Sequence, residues 1–406
     1  MEWVDKMKSY KSIKKIFVRE LRLIAKDINI RSVILLAPLF YSFFYGSIYY
    51  NKVESNVEIA ILDLDNSATT HKITRFFDSH PMLKIVDNIS SIDEGNQKLL
   101  SEEIKGIIYF PKNFEAKLKN GKPSELKIYL SGTRFLVSND LNKAINEVIG
   151  FTNASISVKY FVTKGNSFEQ AKELIQPVKM DIRPMFNFTE SYGDFLIPAV
   201  FVLILQQTLL IGLSESMAKE RESNSIRELN RLANGKPNLI INGKGIFYLI
   251  LFGSYSLFFV IVNFNIFKIP NRGEFFPIFI LTGIMLISVI NLTIFLSSFF
   301  KRKIISLQFL TLTSYPVFLI SGYSWLGQSM PAYLKIISNL IPSTPYFAAY
   351  TRITQMGAGI YDVLPEMIHL VILALIGYGL AYFRINHLIK NSYGNTHSQE
   401  SILKTT

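Results

Sequence analysis

FLIPAVFVLILQQTLLIGLSESMAKERESNSIRELNRL, residues 195–232, sets the fold class of this chain. Residues 195–214 carry no charge and are dominated by Leu, Ile, Val and Phe. At 1.5 Å per residue, such a run of about 20 residues crosses a hydrocarbon core of roughly 30 Å. Charge then returns abruptly at Glu215, and behind Glu220, Arg221 and Glu222 come Ile226, Leu229 and Leu232 at helical spacing. The stretch therefore reads as a membrane helix followed by a short amphipathic helix at the membrane surface.

The same pattern recurs on both sides. Uncharged runs occupy 32–51, 195–214, 245–267, 275–300, 304–334 and 367–383. Five are long enough to span, and the last sits at the lower limit. The fifth is too long for one span, so a helix followed by irregular or interfacial chain is expected from about Gly322. The composition agrees: of 406 residues, 49% are hydrophobic and only 18% charged, which is too oily for an ordinary soluble enzyme. The expected fold is an α-helical membrane protein with six transmembrane helices and one inserted α/β (α+β) domain. The chain has no cysteine, which removes disulfides, thiolate nucleophiles, cysteine-held zinc and iron–sulfur clusters.

The net charge of +12 is a matter of topology. Residues 1–31, 215–244, 301–303 and 384–406 together hold 21 Lys and Arg against 9 Asp and Glu. Residues 268–274 and 327–366 hold 4 against 3, and the long segment 52–194 holds 18 against 19. The whole excess thus falls on one face together with both termini. The positive-inside rule makes that face cytoplasmic, with anionic lipid rather than nucleic acid as its natural partner. The basic N-terminus is too long for the charged region of a cleaved signal, so 32–51 reads as a retained anchor. Within residues 1–31, Ile13, Ile16, Phe17, Leu21, Ile24 and Ile28 recur at helical spacing between lysines and arginines. That is an amphipathic helix expected along the inner leaflet, either as a connector or as a passive basic anchor.

Residues 52–194 are soluble in composition and long enough for one compact extracytoplasmic domain. Val57–Leu62, Leu83–Val86, Gly106–Phe110 and Leu126–Leu130 read as strands. Thr69–Ser79, Ile92–Ser101, Phe135–Lys164 and Phe168–Ile175 read as helices. After the last span, 391–406 is a polar tail.

No catalytic constellation accompanies this layout. Lys122, Lys236 and Lys244 follow glycines but none precedes Ser or Thr, so the phosphate loop that binds ATP is absent, as are the zinc-protease helix and the nucleophile elbow. The five histidines are scattered, and Asp63 and Asp65 beside Asn66 and Ser67 read as a turn or helix cap before a metal site. The uncharged runs contain no acid or base to couple ion flow, so energy must come from outside the membrane. Gln206, Gln207, Asn263, Asn265, Asn291 and Gln308 are the polar groups within them. They serve as interhelical hydrogen bonds, with Gln206, Gln207 and Gln308 as candidates for a substrate path.

Here the sequence resembles the permease subunits of type-2 ABC exporters, in the subfamily with a large domain after the first helix. Their first cytoplasmic loop carries an acidic-Arg-acidic step and then a leucine-bearing helix that docks into the ATPase. This chain has Glu220-Arg221-Glu222 at the step, Asn224-Ser225 where Gly-Thr is usual, and Ala233-Asn234 where Thr-Pro is often found. A second similarity covers 322–363, where Gly322, Trp325, Pro331, Pro342, Pro345 and Arg352 match the family's re-entrant or interfacial segment. The resemblance implies that Glu220, Arg221, Glu222, Ile226, Leu229 and Leu232, with Ile16 and Phe17 of the N-terminal helix, couple the permease to an ATPase. It implies an inner-membrane homodimer or heterodimer, export of an undefined substrate, and a periplasmic adaptor as a further partner. No cofactor belongs to this chain; ATP and Mg sit on the partner ATPase. The competing expectation is a phage-receptor-like or envelope-assembly protein with no ATPase.

Overall fold

The computed structural model describes residues 2–48, 55–175, 185–187, 191–325 and 327–403. The outer end of the first run (49–51), the margins of the insertion at 52–54, 176–184 and 188–190, and the last three residues of the tail lie outside them. The chain divides into two compact units, residues 1–52 with 184–406, and residues 53–183.

In chain order, α1 (Glu2–Lys26) is followed by α2 (Ile28–Ile48). The second unit runs β1 (Val57–Asp63), α3 (Ala68–Asp78), β2 (Leu83–Asn88), α4 (Ile92–Leu100), β3 (Gly106–Phe110), α5 (Phe114–Lys119), β4 (Lys127–Leu130), α6 (Phe135–Thr163) and α7 (Phe168–Ile175). The first unit resumes with α8 (Tyr192–Glu222), α9 (Ile226–Leu232), α10 (Pro237–Ile266), α11 (Phe275–Ser297), α12 (Lys303–Ile320), α13 (Ala332–Asn339), α14 (Ser343–Met356) and α15 (Leu364–Leu403).

The first unit is a helical bundle in which α2, α8, α10, α11, α12 and residues 364–390 of α15 are long and apolar enough to cross a membrane. Helix α8 is the most enclosed of them and packs against α2, α11 and α12, while α15 runs along α11. Two crossings are closed by missing side chains. A Cβ on Gly212 would lie 2.3 Å from Ile34 of α2, and one on Gly243 would lie 2.8 Å from Ile16 of α1. In each crossing an isoleucine side chain rests directly on the glycine backbone of the other helix, the close packing that small residues permit. Pro38 cannot donate to the carbonyl one turn earlier, and the turn before it, Ser32–Leu36, widens to π geometry to absorb the misfit.

The second unit is an α/β layer structure with sheet order β2-β1-β3-β4. β1 pairs parallel with β2 and β3, and β3 pairs antiparallel with β4. The central strand segments IAIL (59–62) and GIIYF (106–110) are apolar without alternation because helices cover both faces. Ile73 and Phe77 of α3 with Leu141, Ile145 and Val148 of α6 fill one face; Ile89, Ile104 and Ile107 fill the other with Leu99 of α4. The expected strands and helices are all present, with bounds shifted by at most two residues. α5 was not anticipated. It is a turn and a half long, and its first amides, Phe114 and Glu115, donate to the Asp65 carboxylate at 3.0 and 2.9 Å. Asp63 accepts from the amides of Asp65 and Asn66, so both acids are taken up by a turn and a cap.

Across 215–244 the helices run further than the apolar runs that mark them: α8 continues through Glu222 and α10 begins at Pro237, with α9 between them. Charge marked the end of the apolar run, but the helix goes on, and Lys219, Glu220, Arg221 and Glu222 all find partners in the bundle. Helix α1 departs from expectation too. Ile13, Ile16, Phe17 and Ile24 join the bundle core rather than facing lipid, and only Leu21 and Ile28 of that series are exposed.

Candidate functional site

Four consecutive residues at the end of α8, Lys219 to Glu222, each reach a different part of the bundle. Successive residues on a helix point about 100° apart, so a helix end surrounded on all sides can address four neighbours in one turn.

Lys219 donates to Asp27 at 2.8 Å. Asp27 is the N-cap of α2, accepting from the amides of Asn29 and Ile30, and it takes a second ammonium from Lys303 at 3.1 Å. Burial alone would raise the Asp27 carboxyl, but these two lysines and the Ile30 amide outweigh it and hold the group at about 2.

Glu220 is only 1% exposed. Its carboxylate takes both guanidinium nitrogens of Arg19 from α1 in a fork-to-fork pair, accepts from Ser225, and lies 3.3 Å from Lys244 of α10. Lys244, fully buried, gives its other N–H groups to Glu20 at 2.6 Å and to Ser216 at 2.8 Å. Glu20 also accepts from Ser216 and from Tyr248. Two carboxylates thus meet two cations with the hydroxyls completing the shell, which is the condition under which buried charge is tolerable.

Arg221 donates to the carbonyl oxygens of Ser298, the C-cap of α11, and of Phe300 in the turn after it. Arg384 of α15 reinforces that corner by donating to Ser298 Oγ at 3.2 Å and lying over the Phe299 ring. Glu222 accepts from the Lys303 amide at 3.1 Å and so caps α12.

The amphipathic helix α9 seats Leu229 in the core, with Ile226 and Leu232 half-buried, and turns Arg227, Glu228 and Arg231 outward. Phe17 meets Phe247 edge to face at 5.2 Å, and Asn234 donates to Ser12 at 3.0 Å. α1, α9 and the start of α10 are thereby one packed body with the end of α8. Between α1 and α9 lies a basic groove of about 430 Å³, walled by Lys11, Lys14, Lys15 and Arg22 over Val18 and Leu232.

These placements change what the predicted residues can do. Glu220, Ile16 and Leu229 face inward and cannot touch a partner directly, whereas Glu222 is exposed. Glu20, Asp27, Lys219 and Lys244 were missed. The signal for Glu20 was present: it stands four residues from both Ile16 and Ile24, on the apolar face of a basic helix. Of the substrate-path candidates, Gln206 and Gln207 are enclosed in α8, while Gln308 is exposed on α12. The three do not line one open surface.

At the opposite end, α12 stops at Ser321-Gly322, where Gly322 takes φ +84°. Trp325 is exposed, and Pro331 and Pro342 precede α13 and α14 at positions that need no amide donor. Pro345 is buried in the first turn of α14. Arg352 donates to Glu366 at 2.8 Å and to the Asp362 carbonyl. Tyr323 donates to the Phe195 carbonyl and stacks on its ring, fastening this segment to the start of α8.

Residues 30–383 match the family described as ABC-2 family transporter protein. This chain is a type-2 ABC permease. Among curated proteins it is similar to the linearmycin resistance permease protein LnrN of Bacillus subtilis, 22% identical with 85% of this chain and 91% of that one covered. It is also similar to the probable multidrug ABC transporter permease YbhS of Escherichia coli, 20% identical over 93% and 97% of the two chains. The inner membrane transport permease YhhJ of Escherichia coli is 25% identical over 80% and 83%. A type-2 ABC permease is a multi-pass membrane transport subunit, and membership of the family implies an ATPase partner subunit. The charged end of α8 belongs to that permease.

Proposed function

We propose that this permease is the membrane-spanning half of an ATP-driven exporter in the bacterial inner membrane, with both termini and the charged bundle end in the cytoplasm. ATP and Mg are handled by a separate ATPase that docks on the outward face of α9 and the adjoining groove of α1. The observation that carries this reading is the four-way attachment of Lys219–Glu222. A push on α1 and α9 reaches α2, α8, α10, α11 and α12 at once through buried ion pairs and helix caps. Coupling of that kind needs an unbroken chain of rigid contacts.

The excess of basic residues on this face supports the orientation. That orientation puts residues 52–194 outside the cytoplasm, where an adaptor or substrate gate is the natural assignment. Helices α2 and α12 flank α8 and leave Phe40, Phe44, Leu312 and Tyr315 exposed. Pairing with a second permease, identical or similar, would cover them and set the export path between the copies. The family resemblance favours this account over a receptor without an ATPase.

Purification of the tagged chain from its host in mild detergent tests the proposal. Stoichiometric recovery of a P-loop ATPase with ATP hydrolysis is expected, and recovery of the intact chain without one would overturn it.

A further inference from the structure

We infer that the groove between α10, α11 and α15 is a binding site for a membrane phospholipid, holding one acyl chain and the ester region above it. The groove has a volume of about 460 Å³ and opens on the outside of the bundle, where Ile246, Ile287 and Leu375 are exposed. It exists because Gly245 and Ala374 leave room between helices that otherwise pack closely. On the same face of α15, a Cβ on Gly377 would come within 3.2 Å of the Leu292 amide nitrogen.

Its polarity is graded along the membrane normal. α10 runs antiparallel to α11 and α15, and the polar lining residues Asn242, Asn291 and Tyr378 all lie toward the charged end of the bundle. Asn242 and Tyr378 both line that polar end, and Asn291 donates to the Ala374 carbonyl at 3.1 Å. From the start of α10, Asn242 is roughly 8 Å into the helix and Leu249 roughly 18 Å. A polar end near the edge of the hydrocarbon core and an apolar end near its middle match an ester-linked acyl chain entering from that leaflet. The neighbouring medium supplies such a molecule without further cost of transfer from water, so shape, with Asn242 and Tyr378 at the polar end, selects it from the surrounding lipid. This inference rests on the membrane-spanning bundle and not on export or an ATPase.

The test uses the full chain reconstituted in vesicles of phosphatidylethanolamine and phosphatidylglycerol carrying a trace of phospholipid with a photoactivatable diazirine on its acyl chain. After irradiation, labelling of peptides containing Leu249 and Leu375 should exceed that of the α11 peptide containing Phe279, which is exposed on the bundle outside the groove and outside the proposed pairing face. Gly245→Leu should reduce the excess to the Phe279 level. Leu375→Trp, on the exposed rim where folding is not at stake, should do the same. Uniform labelling of all exposed helices, meaning contact with bulk lipid only, would overturn the inference. So would labelling of the groove that persists in Leu375→Trp.

Discussion

Lys244 Nζ and Glu20 Oε2 lie 2.6 Å apart with neither side chain exposed, joining the N-terminal helix α1 to the start of α10. The pair is one half of a balanced set of four charges, the other half being Arg19 and Glu220. Burying each of these ions unpaired would cost several kcal/mol, so the set stands or falls together.

Lys244→Met should therefore leave Glu20 and Glu220 without their shared cation and lower stability by about 3–5 kcal/mol. Adding Glu20→Gln should restore part of that loss, because the orphaned charge is gone. Thermal unfolding of the two single variants and the double variant in detergent checks this; additive losses would show that the residues do not interact.

Arg221 reaches two carbonyl oxygens through one guanidinium nitrogen, Nη1, at the end of a planar head one atom longer than a lysine stem. Arg221→Lys should destabilise by about 1–3 kcal/mol, with Arg221→Ala worse. Faster hydrogen exchange at the end of α11 is the local readout expected in both.

Asp27 gives a pH dependence with a definite sign. Its carboxyl is lowered from 3.8 to about 2 in the fold, so its ion pairs with Lys219 and Lys303 stabilise above 3.8. That contribution fades as pH falls toward 2. The stability gap between wild type and Asp27→Asn should be about 2 kcal/mol near neutral pH and should close between about pH 4 and about pH 2. A constant gap across that range would contradict the assignment.

The contact of Gly243 with Ile16 sets how closely α1 sits. Gly243→Ala should destabilise, since its methyl group would meet the Ile16 side chain at 2.8 Å, and Ile16→Ala should relieve much of the cost. Absence of rescue in a thermal-shift comparison would place the strain elsewhere.

The insertion was legible almost element by element. Strands such as GIIYF end at a proline, and helices such as Ala68–Asp78 begin at a Ser cap, here with a full capping box. Local chemistry decides such boundaries. The six apolar runs were equally plain, because hydrocarbon demands them. The charged end of α8 was not, because charge ordinarily marks where a helix leaves the membrane. Whether Glu220 faces water or Arg19 depends on contacts 201 residues apart in sequence. The same holds for Lys244, which reads as a flanking base and is the most enclosed cation of the bundle end among the described residues. Gln308 illustrates the limit for the substrate path: a polar residue in an apolar run can face lipid or a second copy as readily as a channel.

The account's central claim is that the partner ATPase acts on α1 and α9 from outside while Lys219–Glu222 carry the push inward. Its most direct test is affinity purification of wild type beside Arg231→Glu, which alters only an exposed position of α9 and leaves the buried ion set intact. The prediction is equal membrane insertion and thermal stability, with the P-loop ATPase recovered from wild type and lost from the variant. Equal recovery of the ATPase from both, with unchanged ATP hydrolysis, would contradict it.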